Sequence, residues 1–247
     1  MKLTAQTVWK FVDSGLNLFY PAVCQFCREQ RAGYAESYIC GVCRRKVHVI
    51  DGGYCSKCGI PYDGAITNEF ECGECKDADL KFDAARAAVR VNAFMLDVVH
   101  RYKYARALWL EKFLGDLLVQ AALPELAKES WDFIVPVPLH SVKQREREFN
   151  QAERIAMYLG RAVNIPVNTS ILKRVEPTES QTRLSREERA ENVRKAFALR
   201  DAVDLKGKNM VLIDDILTTG ATTSACAGIL KKAGASKVQV WTVARGA

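Results

Sequence analysis

The amino-acid sequence predicts an α/β fold with a mostly parallel sheet, preceded by a small cysteine-rich module. Strand-like and helix-like segments alternate from about residue 84 onward. Four CxxC pairs account for eight of the nine cysteines, and all eight lie within residues 24–75. The segment 210–223, MVLIDDILTTGATT, joins an apolar run, two adjacent carboxylates and a Thr/Gly loop. A chain of 247 residues can hold one sizeable core and a smaller module.

The N-terminal segment predicts a helix docked on another part of the protein. Its apolar residues fall near helical spacing: Val8, Phe11, Val12, Leu16 and Phe19. The segment has no signal-peptide core followed by a small-residue cleavage site, so we expect a cytoplasmic protein. No apolar run approaches the roughly 20 residues of a membrane span, although a peripheral membrane contact at this helix is an alternative.

The four CxxC pairs predict two structural zinc sites. They are Cys24/Cys27, Cys40/Cys43, Cys55/Cys58 and Cys72/Cys75. The two sulfurs of a CxxC pair can reach one tetrahedral ion, and two such knuckles complete a four-cysteine site. Twelve residues separate the first and second pairs and thirteen the third and fourth, as expected for consecutive zinc ribbons. We therefore pair the first knuckle with the second and the third with the fourth; interleaved pairing remains open.

Other uses of these cysteines fit the sequence less well. A disulfide framework is the rival chemistry, but it is rare in chains without an export signal. A thioredoxin-like redox role needs fewer than four regularly spaced pairs. The ninth cysteine, Cys226, is predicted to be a small core residue within a helix.

The positive charge of the chain is less informative than its local patches. The formal net charge is +7 with neutral thiols, and eight thiolates on two zinc ions would lower it. Basic and aromatic residues alternate between His100 and Arg106. This strip could track single-stranded DNA and stack its bases, or it could be an amphipathic helix with packed tyrosines.

The chain is expected to divide near residue 80. Residues 1–80 would hold the N-terminal helix and the ribbons, and residues 81–247 the α/β domain. Strands are predicted at Ala84–Val91, Trp131–Val137, Ile165–Val167, Ile171–Lys173, Phe197–Leu199, Met210–Ile213 and Lys237–Val243. Pro136 and Pro138 are read as an exit loop, and a helix is expected to end near Gly160. A ligand would bind at the carboxyl ends of these strands.

The segment 210–223 resembles the 5-phosphoribosyl-1-pyrophosphate (PRPP) motif of type I phosphoribosyltransferases. A glycine-bearing loop at a helix start turns backbone N–H groups toward an anion. We assign the 5-phosphate of PRPP to the loop residues Thr218, Thr219, Gly220, Ala221 and Thr222. Asp214 and Asp215 suit the two vicinal hydroxyls of the ribose, with magnesium accompanying PRPP. An ordinary α/β turn with an acidic edge is the alternative.

Two further polar segments fit the same ligand. In residues 136–151, Lys143, Arg145 and Arg147 can surround a diphosphate. In residues 176–192, Ser185 and Glu188 form a capping box. Arg183 is the cation of that long segment that we place near the leaving pyrophosphate. Either segment alone could be a solvated charged loop.

The order of these motifs resembles the competence protein F (ComF/GntX) family nearly from end to end. The matching stretches are FYPAVCQFC, the four knuckles, RYKYARALWL, VPVPLH with REFNQA, SQTRLSREERAENVRKAF and VLIDDILTTGATT. The resemblance implies a double zinc ribbon joined to a type I phosphoribosyltransferase-like domain, linked to natural transformation or the use of incoming DNA. One departure is Glu148, where the family usually has Gly in its RGFNQ motif; this bears on the pyrophosphate contacts of Arg147.

Two functional hypotheses follow. As an enzyme, the protein would transfer the phosphoribosyl group of PRPP to an unknown acceptor, through a transition state of oxocarbenium character. As a non-catalytic adaptor, it would sense a nucleotide in the same pocket, and the ribbons or the strip at His100–Arg106 would bind single-stranded DNA or DNA-processing proteins.

Overall fold

The structure is a computed structural model that describes residues 22–64, 70–175, 196–200 and 203–246, without the side chains of Ser141 and Lys143. The predicted N-terminal helix and the polar segment 176–192, including Arg183, lie outside these residues. The chain forms two compact units, Met1–Val47 and His48–Ala247. The predicted division near residue 80 remains a prediction. Among the described residues, no helix has the length and apolar character needed to cross a membrane.

A four-stranded parallel sheet is the centre of the second unit. Its strands are β1 (Ala84–Arg90), β2 (Phe133–Pro136), β5 (Asn209–Leu217) and β6 (Lys237–Arg245), in the order β1-β6-β5-β2. Two further strands, β3 (Leu172–Arg174) and β4 (Phe197–Leu199), form a separate antiparallel pair. The predicted α/β class with a parallel sheet is confirmed.

Helices cover both faces of this sheet. The described helices are α1 (Gly41–Arg44), α2 (Gly73–Asp77), α3 (Ala93–Tyr104), α4 (Glu111–Leu126), α5 (Ser141–Arg147), α6 (Gln151–Val163) and α7 (Ala221–Lys232). Helices α4 and α6 pack against each other and against the sheet, while α7 packs against β4, β5 and β6. The apolar run Met210–Ile213 is fully buried because the central strand β5 is covered on both sides.

Several boundaries differ from the sequence prediction for physical reasons. Strand β5 continues past Ile213 to Leu217, because its ladder with β6 extends through Leu217 and Arg245. Both carboxylates therefore lie within the strand. Helix α6 passes Gly160 and ends at Val163, where Asn164 takes the left-handed conformation with φ of 55°. Pro136 is the last residue of β2, at the sheet edge, where a missing N–H is tolerated.

The predicted strand Ile165–Val167 is reduced to a single bridge. Val167 pairs in parallel with Ile134, and no strand is formed by the residues around it. The other predicted strands of the α/β domain all occur, with ends shifted by a few residues. The carboxyl ends of β2 and β5 lie side by side. The predicted ligand segment 136–151 follows β2, and the Thr/Gly loop 218–222 follows β5.

Candidate functional site

The segment after β5 is a short exposed loop that leads into α7. Thr218 and Thr219 are exposed, and Gly220 is the N-cap of α7 with φ of 76°. This left-handed backbone favours glycine because it lacks a Cβ. Thr219 Oγ1 accepts a hydrogen bond from the Ala221 N–H at 3.4 Å, and Thr222 is partly exposed in the first turn. Hydroxyls and a helix N-terminus thus meet at the carboxyl edge of the sheet, an arrangement suited to a phosphate.

The two adjacent carboxylates, Asp214 and Asp215, lie in β5 shortly before this loop. Asp214 accepts a hydrogen bond from the Asp215 N–H at 2.9 Å, and Asp215 accepts one from the Ile216 N–H at 2.7 Å. Successive side chains of a strand point to opposite faces of the sheet. Asp215 is 7% exposed, and its Oδ2 lies 2.6 Å from Nζ of Lys103 in α3. Lys103 therefore belongs to the candidate site.

The surroundings of Asp214 bring the pKa of its carboxyl group close to neutral pH. Burial is the main cause, and repulsion from Asp215 adds to it; together they raise the pKa of Asp214 to about 7. The positive charges of Lys103 and Arg174 act in the opposite direction. Near neutral pH the carboxyl can thus be ionised or neutral, so it can accept or donate a hydrogen bond to a sugar hydroxyl.

Asn150 fixes the segment that follows β2. Its amide nitrogen donates to the carbonyl of Val137 at 3.0 Å, and its side-chain oxygen accepts from the Ala152 N–H at 3.1 Å. Asn150 thereby caps α6 and holds the end of α5 beside the carboxyl edge of the sheet. The local sequence explains this turn, because asparagine is a preferred N-cap residue.

The charged residues at the end of α5 are already paired. Arg147 lies over the ring of Tyr104, with 4.7 Å from guanidinium carbon to ring centroid, and donates to the Tyr104 hydroxyl at 3.0 Å. It also donates to Oε1 of Gln151 at 3.2 Å. Glu148 is left-handed with φ of 66°, and its Oε1 lies 2.9 Å from the Arg106 guanidinium. The positive φ explains why glycine suits this position, and the ion pair shows how glutamate is accommodated.

The strip at His100–Arg106 mostly packs against this segment. Tyr102 is fully buried, and its ring centroid lies 5.4 Å from that of Phe149. Tyr104 stays 60% exposed but carries Arg147 on its ring. These contacts agree with the amphipathic-helix interpretation of the strip, and they join α3 to the candidate site.

A cavity of about 230 Å³ adjoins the same edge of the sheet. Its lining includes Gln144 and Asn150 from the segment after β2, and Lys173, Arg174 and Arg200 from around β3 and β4. Sequence analysis missed these three cations. The sequence offers one indication of them, which is where they lie along the chain. Lys173 and Arg174 belong to β3 and Arg200 follows β4, on either side of the segment that carries Arg183.

The predicted ligands are thus placed to different degrees. The structure brings together the phosphate loop, defined as residues 218–222, and the two carboxylates of β5. Arg147 lies beside Tyr104 and Gln151, and Arg145 is exposed on α5. The side chain of Lys143 and all of Arg183 lie outside the described residues. The roles assigned to these residues remain predictions.

The eight knuckle cysteines form two separate four-sulfur clusters. They are Cys24, Cys27, Cys40 and Cys43, and Cys55, Cys58, Cys72 and Cys75. Within the first cluster, two Sγ–Sγ distances are 3.7 Å; within the second, two are 3.8 and 3.9 Å. Zinc–sulfur bonds of about 2.3 Å place the sulfurs of a tetrahedron about 3.8 Å apart, so both clusters fit zinc. The predicted consecutive pairing is confirmed.

Backbone N–H groups prepare these sulfurs for a cation. The N–H groups of Cys58 and Cys72 point at Sγ of Cys55, at 3.4 and 3.3 Å. Burial opposes ionisation, but these N–H groups outweigh it and lower the pKa of Cys55 to about 7. The same balance lowers the pKa of Cys24 to about 6. Each cluster therefore has a thiol that ionises readily, as a metal ligand must.

Comparison with known proteins agrees with both parts of this architecture. Residues 15–76 match the model of a double zinc ribbon domain, and residues 122–247 match that of a phosphoribosyl transferase domain. DNA utilization protein YhgH of Salmonella typhimurium is 31% identical over 92% of this chain and 99% of its own length. Competence protein F of Haemophilus influenzae is 30% identical, over 85% of this chain and 97% of its own. The chain belongs to the competence protein F family.

A more distant relative and two solved structures are also similar to this chain. Competence protein ComFC of Bacillus subtilis is 27% identical over 85% of each chain. Among solved structures, purine phosphoribosyltransferase from Pyrococcus horikoshii aligns with a TM-score of 0.35 and 18% identity over 54% of this chain and 83% of its own. Adenine phosphoribosyltransferase from Leishmania tarentolae aligns with a TM-score of 0.37 and 14% identity over 65% of this chain and 78% of its own. The resemblance to the competence protein F family that the sequence suggested is confirmed.

Proposed function

We propose that this protein binds PRPP with magnesium and transfers its phosphoribosyl group to an acceptor, in the cytoplasm, in the handling of incoming DNA. The observation that carries this proposal is the succession, at the carboxyl edge of a parallel sheet, of paired carboxylates, an exposed threonine loop and a helix N-terminus. The matching phosphoribosyl transferase domain and the names of the competence and DNA utilization relatives support it.

In this proposal each part of the site has one task. The phosphate loop would bind the 5-phosphate through backbone N–H groups and the hydroxyls of Thr218 and Thr219. Asp214 and Asp215 would hold the ribose hydroxyls, and their negative charge would favour positive charge developing at C1. Magnesium, when bound with PRPP, would neutralise part of the diphosphate charge. Arg147, Arg145, Lys143 and Arg183 would surround the leaving pyrophosphate.

Attack on C1 then needs mainly correct placement of the acceptor. Once the ribose and both phosphate groups are held, the reaction becomes effectively intramolecular, which can supply a large share of the rate. The cavity lined by Lys173, Arg174 and Arg200 lies beside the end of β2, and the only carboxylate among the described residues of its lining is Glu153, so positive charge prevails there. It suits an acceptor or pyrophosphate with negative charge.

Calorimetry with PRPP and magnesium tests this proposal directly. The double variant Asp214→Asn, Asp215→Asn should bind PRPP at least about 100-fold more weakly, because each carboxylate supplies charge-assisted hydrogen bonds of about 1.5–3 kcal/mol. Its zinc content should stay at the wild-type level. Asp116→Asn is the matched control, since Asp116 lies in α4 and accepts from Tyr158. Unchanged PRPP affinity in the folded double variant would overturn the assignment.

The ion pairs in the pocket favour a second candidate, a nucleotide sensor without turnover. Asp215 is paired with Lys103, and Glu148 holds Arg106. If Asp215 is to bind a sugar hydroxyl, and if pyrophosphate is to bind near Arg147, these pairs would have to open or rearrange. Measuring pyrophosphate release from PRPP across candidate bases and nucleotides separates the two: a sensor binds PRPP without releasing pyrophosphate with any acceptor, whereas an enzyme releases it with one of them.

A further inference from the structure

A buried arginine connects the second cysteine cluster to the start of the phosphate loop. Arg245 is the last residue of β6, and its register partner in β5 is Leu217, which directly precedes Thr218. The residue is only 5% exposed. A buried guanidinium is costly unless its donors are satisfied, so its partners indicate what it stabilises.

One side of this guanidinium contacts the zinc knuckle. Nε of Arg245 donates to the carbonyl of Cys58 at 3.0 Å, and Nη2 lies 3.6 Å from Sγ of the same residue. Cys58 belongs to the second four-sulfur cluster. Zinc bound to the four sulfurs would hold Cys58 in place, and with it both the carbonyl and the sulfur that Arg245 contacts.

The other side contacts three backbone carbonyls at the ends of β5 and β6, two of them consecutive. Nη1 of Arg245 lies 3.2 Å from the Leu217 carbonyl oxygen and 2.6 Å from that of Thr218, and it also donates to the Gly246 carbonyl. Gly246 N–H donates to the Leu217 carbonyl at 2.8 Å, which closes the cluster. Arg245 therefore fixes the peptide groups at the start of the phosphate loop through their carbonyl oxygens.

The geometry of the peptide bond gives these contacts a consequence for ligand binding. In a trans peptide, the C=O and the following N–H point in opposite directions. Because the carbonyls of Leu217 and Thr218 face Arg245, the N–H groups of Thr218 and Thr219 face the opposite side. Both threonines are exposed, so a phosphate that approached from that side could accept these hydrogen bonds.

The second ribbon is also joined to the domain around this contact. The Ala85 N–H donates to the Lys57 carbonyl at 2.8 Å, and Lys57 Nζ donates to the Phe82 carbonyl at 2.5 Å. The ring of Phe82 lies 3.5 Å from the position of a Cβ at Gly220. Residues that follow the ribbon thus support the N-terminus of α7 from a second direction.

We propose that Arg245 is a positioning residue that makes the affinity of the phosphate loop depend on metal in the second cysteine cluster. Zinc fixes Cys58, Cys58 and Arg245 hold each other, and Arg245 aims two N–H donors of the loop at the ligand. The ligand class is a phosphate monoester such as ribose 5-phosphate or the 5-phosphate of PRPP. This inference rests on the proposed function for the identity of that ligand.

The test compares Arg245→Met with Arg90→Met in the full-length, zinc-loaded protein. Arg90 is a matched control because it also bonds the second ribbon, at the Tyr62 carbonyl (3.0 Å) and Asp63 (2.7 Å), whereas Arg245 is the arginine that contacts the carbonyls of Leu217 and Thr218. Arg245→Met should bind ribose 5-phosphate and PRPP about tenfold more weakly, a loss of about 1.4 kcal/mol. Arg90→Met should bind both as the wild type does.

Hydrogen exchange supplies a readout that needs no ligand. Amides of residues 217–223 should exchange faster in Arg245→Met than in wild type or Arg90→Met, while zinc content stays at two ions per chain. Arg245→Lys should resemble Arg245→Met, because a single ammonium cannot span the sulfur and the carbonyls. Wild-type exchange rates in folded Arg245→Met would overturn the inference, and so would wild-type affinity.

The experiment separates this inference from the proposed function. If wild type bound neither PRPP nor ribose 5-phosphate, the proposed function would fail, while the exchange of residues 217–223 would still test Arg245. If Arg245→Met did not fold, removal of zinc from the second cluster would serve instead. Chelation should then speed exchange at residues 217–223 in a Cys40→Ser, Cys43→Ser variant, in which the second cluster holds the remaining zinc; unchanged exchange would overturn the inference.

Discussion

The two zinc knuckle pairs share one backbone design but differ in what surrounds them. In the first, the N–H of Cys24 donates to the Gln30 carbonyl at 2.8 Å; in the second, that of Cys55 donates to Ile60 at 2.9 Å. The residue after each first CxxC is left-handed and donates back to the first cysteine at 2.9 Å. That residue is the exposed Arg28 in the first ribbon and the buried Gly59 in the second.

Packing explains this single difference. A Cβ on Gly59 would lie 2.5 Å from the carbonyl oxygen of Ala85 in β1, so only glycine fits against the strand. Arg28 meets no such restriction and pays only the cost of a left-handed backbone. The metal motif therefore sets the backbone of both knuckles, whereas the sheet sets the side chains of the second.

Removing each metal site in turn should produce the largest contrast. Cys72→Ser with Cys75→Ser should lower the thermal midpoint of the unit His48–Ala247 by at least about 10 °C, because structural zinc contributes on the order of 10–16 kcal/mol and part of it supports the sheet. Cys40→Ser with Cys43→Ser should change that midpoint far less. Calorimetric scans with measured zinc content provide the comparison. Equal shifts would mean that the second cluster has no special part in the stability of the unit His48–Ala247.

A smaller contrast should appear at the residue after each CxxC. Gly59→Ala should destabilise the protein by about 3 kcal/mol, since it combines a backbone clash with a left-handed alanine. Arg28→Ala places the same side chain at the equivalent exposed position and should stay within about 0.5 kcal/mol of wild type. Urea unfolding at saturating zinc measures both. A mild Gly59→Ala effect would mean that β1 moves away easily.

The smallest effect is expected from making the two knuckles identical. Arg28→Gly should relieve the left-handed backbone of the first ribbon and tighten its zinc binding about two- to threefold, partly offset by greater freedom of the unfolded chain. Competition with a chelator reports this change in the full-length protein. Weaker zinc binding in Arg28→Gly would indicate that the arginine side chain itself supports the first knuckle.

Local patterns allowed most of the fold and part of the site to be predicted. The CxxC spacing predicted which cysteines share a metal, because neighbouring knuckles are close in sequence as well as in space. The apolar run before Asp214 predicted a buried strand, and the Thr/Gly loop predicted the start of α7. Each of these signals depends on residues within a few positions of one another.

Contacts between distant residues could not be predicted in this way. Arg245 and Cys58 are 187 positions apart, and nothing near either residue indicates the other. Lys103 was read as part of a basic strip, since it lies in helix α3 and its partner Asp215 lies in strand β5, far along the chain. Glu148 was noted as a departure that bears on the contacts of Arg147, but its ion pair with Arg106, itself left-handed, could not be predicted from the sequence.

The pair between Lys103 and Asp215 has a consequence for any molecule that enters the cleft. A ligand that binds the Asp215 carboxylate must first separate it from the Lys103 ammonium, 2.6 Å away. The free energy of breaking this ion pair reduces the net binding free energy of the ligand. The released ammonium sits on the same helix as Tyr104, the ring beneath Arg147. Binding of a sugar to Asp215 would thereby also affect the position of Arg147.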